Sequence, residues 1–453
     1  MTRPGVPLIR DDLVSAGAWA DPAGLDAVFA RLRAEQPVGW VEHPLYRPFW
    51  AVTCHADILE IERQHALFIN GPRLNLIPES IEKQAANGMA GGLGETLRVM
   101  RVLARLSLRP LGDTWEGLQA VRAARATGAR QRVRTLIDMD EPEHRKFREL
   151  TQSWFMGRGV ARLESHVGAM VARQLERMRS HGTAPFDFAT EIAQQYPLSV
   201  ILSVLGLPEQ DGPFLLRATQ QLLSSADPEL EGGSNHGIST VTEVFEYFAD
   251  IVRERRRRPA EDLTSVIANA RIDGKPLGPI ETLSYLLIAA TAGHETTAAS
   301  VAGGFLAFAD HPAEHARLAS QPDLARAAAD EIVRWVTPVR HFCRTATADT
   351  RVHGIDIAAG ESVVLFYPSG NRDEAVFDDP FAFRIERKPN PHLAFGHGVH
   401  HCLGRMLALA EIRAFFAAVL PQLATIERAG EPAPIASNFT GGYKRLPVRC
   451  LWR

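Results

Sequence analysis

Between residues 140 and 334, apolar side chains recur at three- and four-residue spacing, the signature of helices with one buried stripe. The pattern predicts helices over 167–178, 241–252 and 281–307. From 344 to 387 the texture changes. Residues 351–354 and 355–365 alternate and turn like short strands, with Gly354 and Gly360 as punctuation. A long helix is expected over 403–423, and a terminal hairpin over 437–452 that turns at Gly441-Gly442. There is no internal repeat and no low-complexity linker. The reading is therefore one domain over 1–453, mainly α with minor β, an α+β fold. An extended segment at about 73–134 precedes the helix that follows Met139. It carries Gly91-Gly92 and arginines at 98, 101, 105 and 109. That stripe is either a solvated helix face or a lid or docking insertion.

Composition narrows the function classes. Of 453 residues, 45% are hydrophobic and 23% charged, the balance of a globular protein with a large core. A net charge of −3 argues against nucleic acid as a general partner. The first residues hold no apolar signal core, and the most apolar run, 283–293, is too short for a bilayer span. The expectation is a cytoplasmic protein without a membrane anchor. Its four cysteines, at 54, 343, 402 and 450, form no CxxC pair and no disulfide framework.

The chemistry concentrates at 395–404, FGHGVHHCLG, where Gly396, Gly398 and Gly404 surround Cys402. Glycines let a backbone turn sharply and approach a flat ligand. A helix starting just after Cys402 would direct N–H groups at its sulfur and favour the thiolate. A thiolate so held suits the axial position of haem iron. Zinc is the rival, given His397, His400 and His401, and plain burial of a cysteine is the third reading.

A second group is AGHETT at 292–297, within a helix expected around 285–308. The Thr296 hydroxyl can bond the carbonyl of Ala292, and beside Gly293 this opens the helix locally. Glu295 next to a hydroxyl offers a proton relay; an ordinary kinked core helix is the alternative. Glu331 and Arg334, three residues apart, can pair on one helix face. A Pro-started helix at 139–148 puts His144 and Arg148 on one face, where they and Arg344 and His400 are candidates to grip carboxylates. Surface charge or structural ion pairing accounts for any one of these taken alone.

Together these motifs resemble the cytochrome P-450 superfamily of haem-thiolate monooxygenases, in the family's order over about 26–448. Phe395, Gly398, Cys402 and Gly404 match its cysteine loop, Ala292 to Thr297 its oxygen-binding helix, and Glu331 and Arg334 its Glu-x-x-Arg pair. The resemblance implies the P-450 fold, with haem b between the long central helix and the cysteine-loop helix. It implies Cys402 as the iron ligand, Thr296 and Glu295 in oxygen protonation, and His144, Arg148, Arg344 and His400 at the haem propionates. It implies a downstream partner for Glu331 and Arg334, either Arg372 or Arg384, with Arg384 preferred. It implies O2 as co-substrate and a ferredoxin with an NAD(P)H-dependent reductase as donor, since no nucleotide-binding glycine loop is visible. Arg145, Lys146 and Arg405 are candidates to steer that acidic partner. The segments 334–344 and 437–444 look like bacterial terpene- and sterol-oxidising groups. By position, Ile288, Thr291, Val339, Arg340, Phe439 and Thr440 are expected to meet a small apolar substrate. Other readings are a peroxygenase or oxidative coupling enzyme, against which Glu295 and Thr296 weigh, and a haem carrier or sensor, for which no output module is visible.

Overall fold

The structure is a computed structural model that describes residues 7–86, 98, 102, 133–223, 227, 229–230 and 236–453. The glycine pair at 91–92 and the arginines at 101, 105 and 109 lie outside the described residues. Arg98 is described, and its guanidinium pairs with Glu246 at 2.9 Å.

Helices dominate, as the apolar spacing predicts. Arg158–Ser180 buries Val160, Leu163, Val167, Val171 and Met178 along one stripe and turns its arginines outward. His236–Arg257 covers the helix expected at 241–252. These helices share one large core with the central and cysteine-loop helices, in which Phe188 stacks on Phe305 at 3.8 Å.

The expected 281–307 helix is two helices, Pro279–Ala292 and Glu295–Asp310. They are separated at Gly293 and His294, where His294 has φ −118° and leaves the helical ladder. Gly293 is needed for packing: a Cβ there would stand 2.8 Å from Ile201. The cysteine-loop helix is shorter than expected, Arg405–Val419. Pro421 follows, and Leu423–Arg428 is a strand. That strand pairs antiparallel with Pro447–Trp452, so the terminal hairpin is only partly as expected. Its turn does fall at Gly441-Gly442, but its short arms are Ala433–Pro434 and Tyr443–Arg445.

The main sheet has six strands in the order Leu8–Ile9, Val38–His43, Tyr46–Val52, Ser362–Phe366, His341–Ala346, Phe68–Ile69. Ser362–Phe366 aligns Val364 with Cys343 on its antiparallel neighbour, which places Arg344 opposite Val363. The strands expected within 351–365 appear as Thr350–Val352, Ile355–Ile357 and Ser362–Phe366. Among the described residues, no helix is long and apolar enough to cross a membrane.

Glu331 and Arg334 are fully buried and joined by two hydrogen bonds of 2.7 and 2.8 Å. The downstream partner is Arg387, whose Nε donates to both Glu331 oxygens at 3.2 Å. It is neither expected arginine. Arg372 donates to the carbonyls of Arg334 and Trp335. Arg384 turns its guanidinium out to Asp378 and Asp379 and gives Glu331 only its backbone N–H.

Candidate active site

A large cavity runs between the broken central helix and the cysteine loop. The empty space inside it, mouth included, is about 1710 Å³.

Cys402 stands on its wall, exposed to the cavity while protein surrounds it elsewhere. The loop before it is closed by Cys402 N–H to Phe395 O at 2.9 Å and His401 N–H to Gly398 O at 3.2 Å. Gly396 and Gly398 have φ of +65° and +69°, as a sharp turn requires. Gly398 does not line the cavity. A Cβ there would stand 2.3 Å from the Glu62 carbonyl oxygen. Gly404 has an ordinary φ of −82°, so it serves space rather than turning. Its added Cβ would touch only the Cys402 sulfur, at 4.0 Å, on the cavity wall. The backbone N–H groups of Gly404 and Arg405 point at that sulfur and favour the thiolate, but burial outweighs them and the thiol is pushed up. A cation at the sulfur would reverse that balance.

The central helices contribute Ile288, Ala292, Gly293 and Thr296 to the wall. Thr296 Oγ1 donates to the Ala292 carbonyl at 3.2 Å, the bond anticipated from the sequence. Glu295 does not line this cavity. It faces a separate small one of about 250 Å³, with Tyr443, Gly441 and Gly442. Glu295 has no hydrogen-bond or ion-pair partner among the described residues, and burial pushes its carboxyl up to about 7. His294, just before Glu295, is buried and pushed down to about 4, with Nδ1 at 3.0 Å from the Ala290 carbonyl and Nε2 without a hydrogen bond among the described residues.

All four carboxylate-gripping candidates line the cavity: His144, Arg148, Arg344 and His400. The His144 and His400 rings meet at a tilt of 47°, their centroids 4.2 Å apart. Glu141 is 3.5 Å from His144 Nδ1, too long for a hydrogen bond, so that nitrogen is buried and unpaired. Arg148 is half-buried with no anionic partner among the described residues. Desolvation pushes its guanidinium down, opposed by Cys402 and Tyr285. Arg344 is 3.3 Å from Glu62, a buried acid at the cavity wall that the sequence motifs do not mark. Burial pushes Glu62 up to about 7 against the pull of Arg344 and Tyr367.

Val339, Phe439 and Thr440 also line the cavity, and Thr440 bridges Val339 in an isolated antiparallel pair. Two expected substrate contacts do not. The Thr291 hydroxyl turns back to the Leu287 carbonyl at 2.9 Å. The Arg340 guanidinium lies 4.7 Å over the Trp19 ring and donates to the Ser437 carbonyl oxygen. Thr291 is held by a hydrogen bond within its own helix, and Arg340 by carbonyls distant in the chain.

The donor set fits a haem: one sulfur, glycine-made space beside it and, among the described residues, a guanidinium without an anionic partner and an imidazole nitrogen without a hydrogen bond. It does not fit zinc. Among the described residues, no three His, Cys, Asp or Glu side chains converge, and His400 is turned to His144.

Comparison with known proteins agrees. The cytochrome P-450 family model matches residues 320–440. Cytochrome P-450-terp of a Pseudomonas species is 32% identical over 95% of this chain and 94% of that protein. A steroid C26-monooxygenase of Mycolicibacterium smegmatis is 30% identical over 92% of this chain and 89% of its own length. Among solved structures, CYP108D1 from Novosphingobium aromaticivorans superposes with a TM-score of 0.82 at 34% identity, covering 99% of this chain and 100% of that one. A Mycobacterium marinum cytochrome P-450 in complex with pseudoionone gives 0.81 at 31% identity, with the same coverage.

Proposed function

The chain belongs to the cytochrome P-450 family and is a haem-thiolate monooxygenase acting on a hydrophobic substrate; from that premise we propose that it binds haem b through Cys402 and hydroxylates a terpenoid, steroid or similar hydrocarbon. The observation that carries this reading is the meeting of three features in one apolar-walled cavity. They are the Cys402 sulfur, the Thr296 hydroxyl and the partnerless Arg148.

When bound, the haem supplies the activation of O2 and the insertion of one oxygen atom into the substrate. The chain supplies the rest. Cys402 would hold the iron as thiolate, steadied by the N–H groups of Gly404 and Arg405. Arg148, Arg344, His144 and His400 would hold the two propionates, with Arg148 giving charge and the histidines giving N–H donors. The Thr296 hydroxyl holds a proton for transfer over the cavity, at a helix turn loosened by its bond to Ala292. Glu295, with both protonation forms populated near neutral pH, replenishes that proton from the small cavity on its side. Ile288, Val339 and Phe439 exclude water and orient the substrate. Electrons come from a ferredoxin and its NAD(P)H-dependent reductase. Arg145, Lys146 and Arg405 offer positive charge near the cysteine side, each beside a carboxylate: Glu141 at 3.1 Å, Asp273 at 2.5 Å and Asp330 at 3.5 Å.

The test is turnover of the purified holoprotein with NADH, a surrogate ferredoxin and its reductase. A terpenoid and steroid panel is first screened for the low- to high-spin shift. Oxygenated product from a compound that gives the shift is expected. Spin shifts without product under NADH, but product with peroxide, would instead favour the peroxygenase reading.

A further inference from the structure

Glu62 has no part in the mechanism above, yet it sits where an anion is expected. It comes from the last turn of the His55–Arg63 helix, and its side chain is 1% exposed. Oε1 accepts from the Tyr367 hydroxyl at 2.7 Å and from Arg344 Nη2 at 3.3 Å. Among the described residues Oε2 is buried and makes no hydrogen bond within range, and Glu62 lines the cavity wall. Its close seat is built by the cysteine loop. A Cβ at Gly396 would stand 3.3 Å from Oε1, and one at Gly398 would strike the Glu62 carbonyl.

Arg344 is also a residue that the reading above assigns to a haem propionate. The inference rests on that reading. One guanidinium would then face two carboxyl groups in a buried place. Two carboxylates sharing a site do not both ionise readily; the proton affinity of one rises strongly. A buried polar atom without a hydrogen bond is destabilising as it stands. A proton on it would find its acceptor in the cavity. We propose that in the haem-loaded protein Glu62 is a neutral carboxylic acid whose Oε2–H donates to the propionate held by Arg344, so that haem is held by an acid–carboxylate pair.

The neighbouring groups do not supply a competing charge balance. Arg344 reaches Glu62 from the main sheet and Tyr367 from the turn after Ser362–Phe366, while the His397 backbone N–H of the cysteine loop lies nearby and favours the ionised form only weakly. The Tyr367 phenol is held neutral by burial. His400 and His144 are held towards the neutral form, chiefly by burial. On the helix of Glu62 itself, Arg63 turns to His397 at 3.5 Å.

The sign follows from linkage. A propionate beside Glu62 raises its proton affinity, so haem binding takes up a proton once free Glu62 is ionised. Burial already lifts Glu62 to about 7. Haem retention is therefore flat below pH 7 and weakens above it.

The experiment measures transfer of haem from the holoprotein to excess apomyoglobin between pH 6 and 9, in the wild type, Glu62→Gln and Tyr367→Phe. The wild type should lose haem at least tenfold faster at pH 9 than at pH 7. Glu62→Gln, the neutral shape-mimic, should bind haem, match the wild type at pH 6 and stay flat. Tyr367→Phe removes a donor that favours ionised Glu62, so its rise should begin at higher pH. The infrared spectrum of wild-type holoprotein at pH 6 should contain a protonated-carboxyl stretch that Glu62→Gln lacks. A pH profile in Glu62→Gln parallel to the wild type, failure of that variant to hold haem, or no difference in the carboxyl stretch would overturn the proposal. Pyridine haemochrome analysis of the extracted haem keeps the two readings apart. An extract that is not haem b contradicts the propionate assignment; haem b with an unchanged profile contradicts the role of Glu62 alone.

Discussion

Thr296 and Glu295 are adjacent in the chain and face different cavities. The Thr296 hydroxyl lines the large one, bonded to the Ala292 carbonyl at 3.2 Å, while Glu295 lines the small one beside Tyr443. The two therefore cannot act as one directly bonded pair in this arrangement. The proposed relay would need rotation of Glu295 or a bridging water at the helix break.

Their roles separate on mutation. Thr296→Ala should keep haem and substrate binding but lower product per NAD(P)H several-fold, the missing reducing equivalents appearing as hydrogen peroxide. Unchanged coupling would remove Thr296 from proton handling.

Glu295→Gln should slow turnover about 10²–10⁴-fold if proton supply limits the rate, and should stabilise the fold. The sign is set by the raised carboxyl, about 7 in the folded protein against an ordinary 4.5. The folded state holds a proton that the unfolded chain gives up, so wild-type stability falls as pH rises from about 4.5 to 7. The variant should gain up to about 3 kcal/mol at pH 8 and nothing at pH 4. Thermal melts at the two pH values check this.

Arg148→Leu should weaken haem binding about 10- to 100-fold, the worth of about 1.5–3 kcal/mol for a hydrogen bond to a charged group. It should leave the secondary structure intact, because the guanidinium has no described anionic partner to abandon. Haem titration of the apoprotein measures it.

Glu331→Gln should be far more damaging to stability. It leaves the buried guanidiniums of Arg334 and Arg387 short of one charge, a loss of about 3–5 kcal/mol. A fall in Tm with unchanged spectra in the surviving holoprotein is expected.

What the sequence made legible was mostly local. The break at Gly293 and the Thr296–Ala292 bond follow from a hydroxyl four residues after a carbonyl beside a glycine. The turns at Gly396 and Gly398 follow from residue type. Long-range partners were not legible. Arg387 takes the place expected of Arg384 because the chain at 378–387 folds back over Glu331 and turns Arg384 outward. Arg340 lies beside the cavity-lining Val339, but alternation points it at Trp19. Glu62 carries no motif at all; only the meeting of its helix with the cysteine loop reveals it. The strand Leu423–Arg428 was hidden because its apolar residues continue the helical pattern beyond Pro421.

The measurement that bears most directly on the account is the spectrum of the reduced CO complex in the wild type and in Cys402→Ala. The wild type should give the red-shifted Soret band of thiolate ligation, and the variant, still folded, should lose it. The same band in Cys402→Ala, or its absence from the haem-loaded wild type, would contradict the assignment of Cys402 as the iron's ligand.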